Sequence, residues 1–128
     1  MSHPASYCIH TFRHSADLAA QASVGGRHEL VEHKRWVTGH QLWVEAKQSG
    51  SQLPILFSAA EEHTGIIYWA IIDSVVVDEI KTTCRYSDLR KIAPARQRSE
   101  VQLRAGNRPL SDNLIRPYAI CWTPHFLT

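Results

Sequence analysis

The 128-residue chain has no long apolar run and only three cysteines. Its longest apolar stretch, GIIYWAII at residues 65–72, is far shorter than the roughly 20 residues that span a bilayer. The beginning, MSHPASYCIHTF, lacks a basic region followed by a long apolar region, so no secretory signal is predicted. An odd number of widely spaced cysteines favours a reducing compartment over a disulfide framework. These absences predict a cytoplasmic protein that does not enter a membrane.

Sequence motifs for metal, phosphate and nucleophile chemistry are also missing. The eight histidines form no HExxH motif and the cysteines no CxxC motif, so neither a metal nor a cofactor is predicted. The glycine pair in VGGR, residues 24–27, lacks the spacing of the phosphate-binding GxxxxGK[ST] and GxGxxG loops. There is no GxSxG nucleophile elbow. We therefore expect histidines that are exposed or that bond to neighbouring groups.

The composition is that of one globular domain. Hydrophobic residues make up 44% and charged residues 20% of the chain, as in an ordinary folded protein. The length is sufficient for a buried hydrophobic core and fits one domain better than two. We predict a single domain over residues 1–128.

The charges are distributed unevenly along the chain. Residues 1–80 hold five Lys/Arg against nine Asp/Glu, a net charge of −4, and residues 81–128 hold nine against three, a net charge of +6. Such a surplus of arginine suits a polyanionic partner such as RNA or a nucleotide. It is equally typical of a solvated basic face that balances an acidic one.

The hydrophobic pattern predicts a mainly β structure. Residues 7–12 alternate as a strand, a helix follows until Gly25-Gly26, and residues 27–39 read as a polar loop. After Gln41 the period becomes two, which predicts strands in QLWVEAK and LPILFSAA, and residues 65–80 give the strongest β signal. We predict an α+β, mainly β fold, a small barrel of five or six mostly antiparallel strands with one or two short helices.

The segments WVTGHQLWV and TGIIYWAIIDSV, together with the preceding strand, helix and loop, resemble the PUA-like superfamily, especially its ASCH and EVE branches. The resemblance implies a pseudo-barrel whose cleft, next to the N-terminal helix, holds RNA or an unusual base gripped by aromatic side chains. His40 stands where the family pattern usually has Asp. Residues 25–29 lack the Lys and Thr of the Gly-x-Lys-Thr stretch found in hydrolytic ASCH relatives. The hydrolytic chemistry of those relatives is therefore not implied for this chain.

Trp43 is the foremost candidate for a base-stacking residue. On the predicted strand it shares a face with Gln41 and Glu45, which could bond to a base edge. Trp69 lies in an apolar run and is expected in the core, with Tyr68 on the opposite face. The aromatic set from which Trp43 was chosen is Trp36, Trp43, Tyr68, Trp69, Tyr118 and Trp122. The predicted ligand-binding residues are Trp36, Gln41, Trp43, Glu45 and Ser58.

Three arginines flank the turn-rich segment AGNRPLSDN. They are Arg104, Arg108 and Arg116, and a basic turn beside a barrel mouth would suit backbone phosphates. The alternative is that Arg116 and Pro117 are structural, with the guanidinium holding loop carbonyls. We predict phosphate contacts at all three positions.

Two other functions stay open from the sequence. An ASCH-type hydrolase of RNA or of a modified nucleoside could use Lys34 or His33 as base, Thr38 or Ser58 as nucleophile and Glu45 or Glu61 as acid. A ribonuclease without metal could instead use His40, His63 and Lys34 as acid, base and phosphate clamp. A protein-interaction module or small homo-oligomer would instead use exposed tryptophans. The leading prediction is a protein, monomeric or a small oligomer, that binds RNA or a nucleotide with a modified base.

Overall fold

The computed structural model describes residues 3–60, 65–111 and 118–127. Within these ranges the chain forms two α-helices, six strands and one short 3-10 helix. In chain order they are β1 Tyr7–Arg13, α1 Ser15–Val24, β2 Arg27–Glu32, α2 Val37–Ser49, β3 Pro54–Ala59, β4 Ile66–Val77, β5 Thr82–Arg96, the 3-10 helix Arg98–Glu100 and β6 Tyr118–Trp122. Neither α-helix is long and apolar enough to cross a membrane.

The strands form one open sheet in the order β2-β5-β4-β3-β1-β6. The pairs β1/β6, β2/β5, β3/β4 and β4/β5 are antiparallel, and β1/β3 is parallel. The prediction of an α+β, mainly β domain of five or six mostly antiparallel strands with one or two short helices is thereby confirmed, but the predicted barrel is wrong. The sheet is not closed into a barrel among the described residues, since β2 and β6 do not pair with each other.

Two predicted elements are wrong. Residues 37–49, which include the predicted strand QLWVEAK, form helix α2. The buried residues of this helix are Gly39, Leu42 and Ala46, and their spacing of three and four is the helical period. Residues 27–32, predicted as part of a polar loop, form the edge strand β2, in which only Leu30 is buried.

The sheet carries a hydrophobic core on each face, because successive side chains of a strand point in opposite directions. On the helix face, Ile9, Ile55, Phe57 and Tyr68 pack with residues of α1 and α2. On the opposite face, Cys8, Leu56 and the C-terminal segment form the second core. Trp69 belongs to the rim of this second core, so the prediction that Tyr68 and Trp69 face opposite ways is confirmed.

Candidate nucleic-acid interface

The predicted grouping of Gln41, Trp43 and Glu45 on one strand face is wrong. In α2, residues two positions apart are rotated by about 200° from each other, so they cannot share a face. Gln41 and Glu45 are exposed, whereas Trp43 is half-buried against the helix-face core. The amide and carboxylate therefore do not stand beside this indole to read a base edge.

Trp43 and His40 instead bind the backbone of β4. Beyond Ile71 the strand has no partner in β3, whose pairing with β4 ends at Pro54. On that free stretch, His40 Nδ1 lies 2.7 Å from the carbonyl oxygen of Val75, and Trp43 Nε1 donates to that of Asp73 at 3.0 Å. The ring nitrogens of His40 and Trp43, one helical turn apart, thus bond to backbone carbonyls to which a neighbouring strand could otherwise bond.

Trp36 lies in the core and shows no face to solvent. Its exposed fraction is 0%, and its indole stacks on Tyr118 with ring centroids 4.5 Å apart. Its backbone N–H donates to Oγ1 of Thr82, which in turn donates to the carbonyl of Lys34. These bonds fix the start of α2 on the sheet, so this part of the predicted site serves the fold.

The candidate residues for hydrolysis do not assemble. Lys34 and Glu45 are exposed and Thr38 is half-buried, and no hydrogen bond or ion pair within the described ranges joins any of them to each other or to His40. Glu61 and His63 lie outside the described residues. The geometry brings together no nucleophile and base from this set.

Ser58, a predicted ligand-binding residue and candidate nucleophile, lies in a buried polar cluster with His10 and Arg98, two residues that the sequence did not single out. His10 Nε2 is 2.7 Å from Ser58 Oγ, and Arg98 Nε donates to the same oxygen at 3.1 Å. The Arg98 guanidinium also lies 5.1 Å from the centre of the Phe12 ring, and Arg98 is only 2% exposed. The cluster ties the 3-10 helix to β1 and β3.

A serine beside a histidine suggests a nucleophile and its base, but the electrostatics oppose that role. Burial, and secondarily the charge of Arg98, lower the pKa of His10 to about 3. General bases work best with a pKa near the operating pH, so His10 would accept the Ser58 proton poorly at neutral pH. The cluster is better explained as an anchor for Arg98 and the segment that follows it.

That segment leads to an aromatic and basic surface at the end of β6. Residues 102–104 run along the outer edge of β6, where Trp122 N donates to Gln102 O and Arg104 N to Ile120 O. Because Gln102 lies opposite Trp122 in this pairing, and Trp122 lies opposite Tyr7, the three side chains share one face. Among the described Trp, Tyr and Phe residues, Trp122 is the most exposed, with an exposed fraction of 40%.

The Trp122 ring is held in place on two sides. Its centroid lies 4.6 Å from that of Tyr7, and its Nε1 donates to Oδ1 of Asn107 at 2.7 Å. The Arg104 guanidinium covers the Tyr7 ring at 5.2 Å, and Arg108 is exposed in the same turn as Asn107. We call Tyr7, Gln102, Arg104, Arg108 and Trp122 the β6-edge patch. Two of the three predicted phosphate-binding arginines belong to it, and the third, Arg116, lies outside the described residues.

A groove of about 270 Å³ adjoins the β6-edge patch. It runs between residues 99–102 and 122–125, so Gln102 and Trp122 belong to both features. No described hydrogen bond occupies the side chains of Gln102 and His125, which makes both available to a ligand. One carboxylate lines it, Glu100, and that group already bonds to Arg96 and to the backbone of Gln97.

Comparison with known proteins identifies no relative: no protein-family model matches the chain, and no curated protein and no solved structure matches it significantly. The resemblance to PUA-like domains therefore stays a prediction. Among the described residues, no group of three or more His, Cys, Asp or Glu side chains is arranged to hold a metal ion.

Proposed function

We propose that this protein binds RNA, or a nucleotide with an unusual base, at the β6-edge patch and its adjoining groove. The observation that carries the proposal is the exposed Trp122, whose indole is fixed by Tyr7 and Asn107 between a basic turn and a groove. A base stacked on such a ring gains about 1–3 kcal/mol without requiring one particular sequence.

The size of the groove suits a small ligand. Its volume of about 270 Å³ lies just below the range of about 300–1,000 Å³ of pockets that enclose drug-sized ligands. The Gln102 amide offers one acceptor and two donor hydrogens, the combination that pairs with the edge of a base. A single base fits these dimensions and this chemistry.

The charge around the patch supports a phosphate-bearing ligand. Residues 90–108 hold six cationic side chains (Arg90, Lys91, Arg96, Arg98, Arg104, Arg108) against one acid, Glu100. Arg98 is buried, which leaves five cations and one acid at the surface of this segment. Arg104 and Arg108 in the patch would bind the phosphates on either side of a base stacked on Trp122.

The test is binding of a fluorescently labelled single-stranded RNA, followed by anisotropy at low salt. Trp122→Leu is expected to weaken binding about 5- to 150-fold, the equivalent of a stack worth about 1–3 kcal/mol. Trp43→Leu is the matched control, because it removes a tryptophan from the helix face and leaves the patch intact. Equal affinities of the Trp122→Leu variant and the natural protein, or no binding of any oligonucleotide or nucleotide, would overturn the proposal.

A further inference from the structure

Two further arginines rest on aromatic rings beyond the groove. The Arg96 guanidinium lies 5.0 Å from the centre of the Phe126 ring, and that of Arg90 lies 5.1 Å from the Trp69 ring. Phe126 and Trp69 both belong to the partly buried rim of the second core, together with Ile92. Both pairs therefore lie on the second-core face of the sheet.

The groove links this face to the β6-edge patch, whose Tyr7 packs against the helix-face core on the other side of the sheet. Trp122 belongs to the patch and lines the groove, and Glu100 lines the groove and bonds Arg96 Nη1 at 3.1 Å. Phe126 directly follows the groove residue His125 along the chain. The groove thus lies between Trp122 at the β6-edge patch and the two arginines, Arg96 and Arg90, of the second-core face.

The geometry points to a single-stranded RNA of several nucleotides, rather than one nucleotide, as the partner, an inference that rests on the proposed function. The first base would stack on Trp122, and the strand would continue through the groove so that its later phosphates reach Arg96 and Arg90. The surplus of positive charge in residues 90–108 matches a polyanion that extends over this whole path.

The ion pairs of these arginines do not prevent phosphate binding. Arg96 pairs with Glu100 at 3.1 Å and Arg90 with Asp88 at 3.7 Å, and all four side chains are 40–66% exposed. Exposed pairs of this kind contribute little to stability, so water or a phosphate can compete for them. A guanidinium has five N–H donors, and one that lies flat on a ring keeps several of them directed outward.

The experiment compares RNA length with single charge removals. Binding of a dinucleotide and of a 12-nucleotide single strand is measured over a range of salt concentrations for the natural protein and for Arg90→Gln, Arg96→Gln and Arg85→Gln. Arg85 is the matched control, since it is another exposed arginine of β5 and it pairs with Glu29, away from the groove.

For the 12-nucleotide strand, each of the first two variants is expected to reduce the slope of log affinity against log salt by about 0.7, the value of one lost phosphate contact on a single strand. The dinucleotide should bind all three variants alike. A longer strand offers more positions at which the protein can bind, so its affinity is higher even without contacts to Arg90 or Arg96. The slope of log affinity against log salt, and not the affinity itself, therefore tests the inference. Slopes for Arg90→Gln and Arg96→Gln equal to that of Arg85→Gln would overturn the inference.

The two proposals fail separately. If Trp122→Leu weakens binding of the dinucleotide but the Arg90 and Arg96 variants leave the slope unchanged, the base site stands and the extended strand is refuted. If Trp122→Leu has no effect on either ligand, the proposed function itself is refuted.

Discussion

The indole N–H of Trp43 donates to the carbonyl oxygen of Asp73 on the stretch of β4 that extends past the start of β3. A free strand edge invites pairing with another chain, and covering it with a helix is one way in which proteins prevent this. His40, one turn earlier, meets Val75 in the same way. The segment that most resembled a ligand site in the sequence thus protects a sheet edge.

We expect Trp43→Phe to lower the free energy of unfolding by about 0.5–1.5 kcal/mol, the net value of one hydrogen bond. The ring remains, so packing against the core is largely retained, and the exposed Asp73 carbonyl can bind water instead. Urea denaturation followed by circular dichroism measures the change. RNA affinity should be unaffected, and a large loss of affinity at unchanged stability would return Trp43 to the binding site.

Secondary structure could be predicted from the sequence where the strand pattern is long, and the prediction failed where the pattern is short. Residues 66–77 are rich in β-branched and aromatic side chains over 12 positions, which leaves little alternative to a strand. In α2 the apolar Leu42, Val44 and Ala46 alternate like a strand over only five residues. Leu42 and Ala46 satisfy both periods, and the burial of Gly39 decides for the helix only once tertiary packing is known.

The basic residues of the candidate site could be picked out from the sequence, but its exposed tryptophan could not. Arg104 and Arg108 stand in an evident basic turn, so their type and spacing indicated phosphate. Trp122 was one of six aromatic side chains, and what distinguishes it is its proximity to Tyr7 and Asn107, which lie 115 and 15 residues away along the chain. Such long-range pairing is not visible as a local pattern.

His10 should make the protein sensitive to acid. Its pKa is about 3 in the folded protein and near 6.5 when unfolded, so between these values the unfolded chain binds more protons. Its contribution to the free energy of unfolding is fully present above pH 6.5. This contribution is lost as the pH falls towards 3, which lowers the free energy of unfolding by up to about 5 kcal/mol. We expect His10→Gln to be less stable than the natural protein at pH 7, with a difference that shrinks or reverses at pH 4.

Urea denaturation at both pH values measures this effect. Comparing the two proteins isolates His10, because acidic groups such as Asp78, whose pKa is lowered by backbone hydrogen bonds, contribute equally to both. If the difference in unfolding free energy is the same at pH 7 and pH 4, His10 binds its proton equally in the folded and the unfolded protein, and folding does not lower its pKa.

Ser58→Ala should destabilise the fold without removing a catalytic function. It takes away the oxygen that accepts from Arg98 Nε, and a buried donor left without its acceptor costs about 1–3 kcal/mol. Ser99→Ala, at an exposed hydroxyl of the neighbouring 3-10 helix, is the control and should change stability by less than about 0.5 kcal/mol. RNA cleavage by the purified natural protein that disappears in folded Ser58→Ala would instead support a hydrolase.

Asn107 offers the most selective test of the β6-edge patch. Its φ of 53° lies in the left-handed region, which glycine adopts without strain, so Asn107→Gly removes the side chain and keeps the turn. Without the Oδ1 acceptor the Trp122 indole loses one of its two supports, and stacking a base must then order the ring. We expect RNA affinity to fall about 3- to 10-fold, a change of roughly 1 kcal/mol, with little change in the urea midpoint.

Asn107→Asp keeps an acceptor and adds a negative charge next to Arg108. It should preserve the environment of the indole, seen in its fluorescence, while weakening RNA binding more at low salt than at high salt. An Asn107→Gly variant with natural affinity would mean that Trp122 needs no support from this turn.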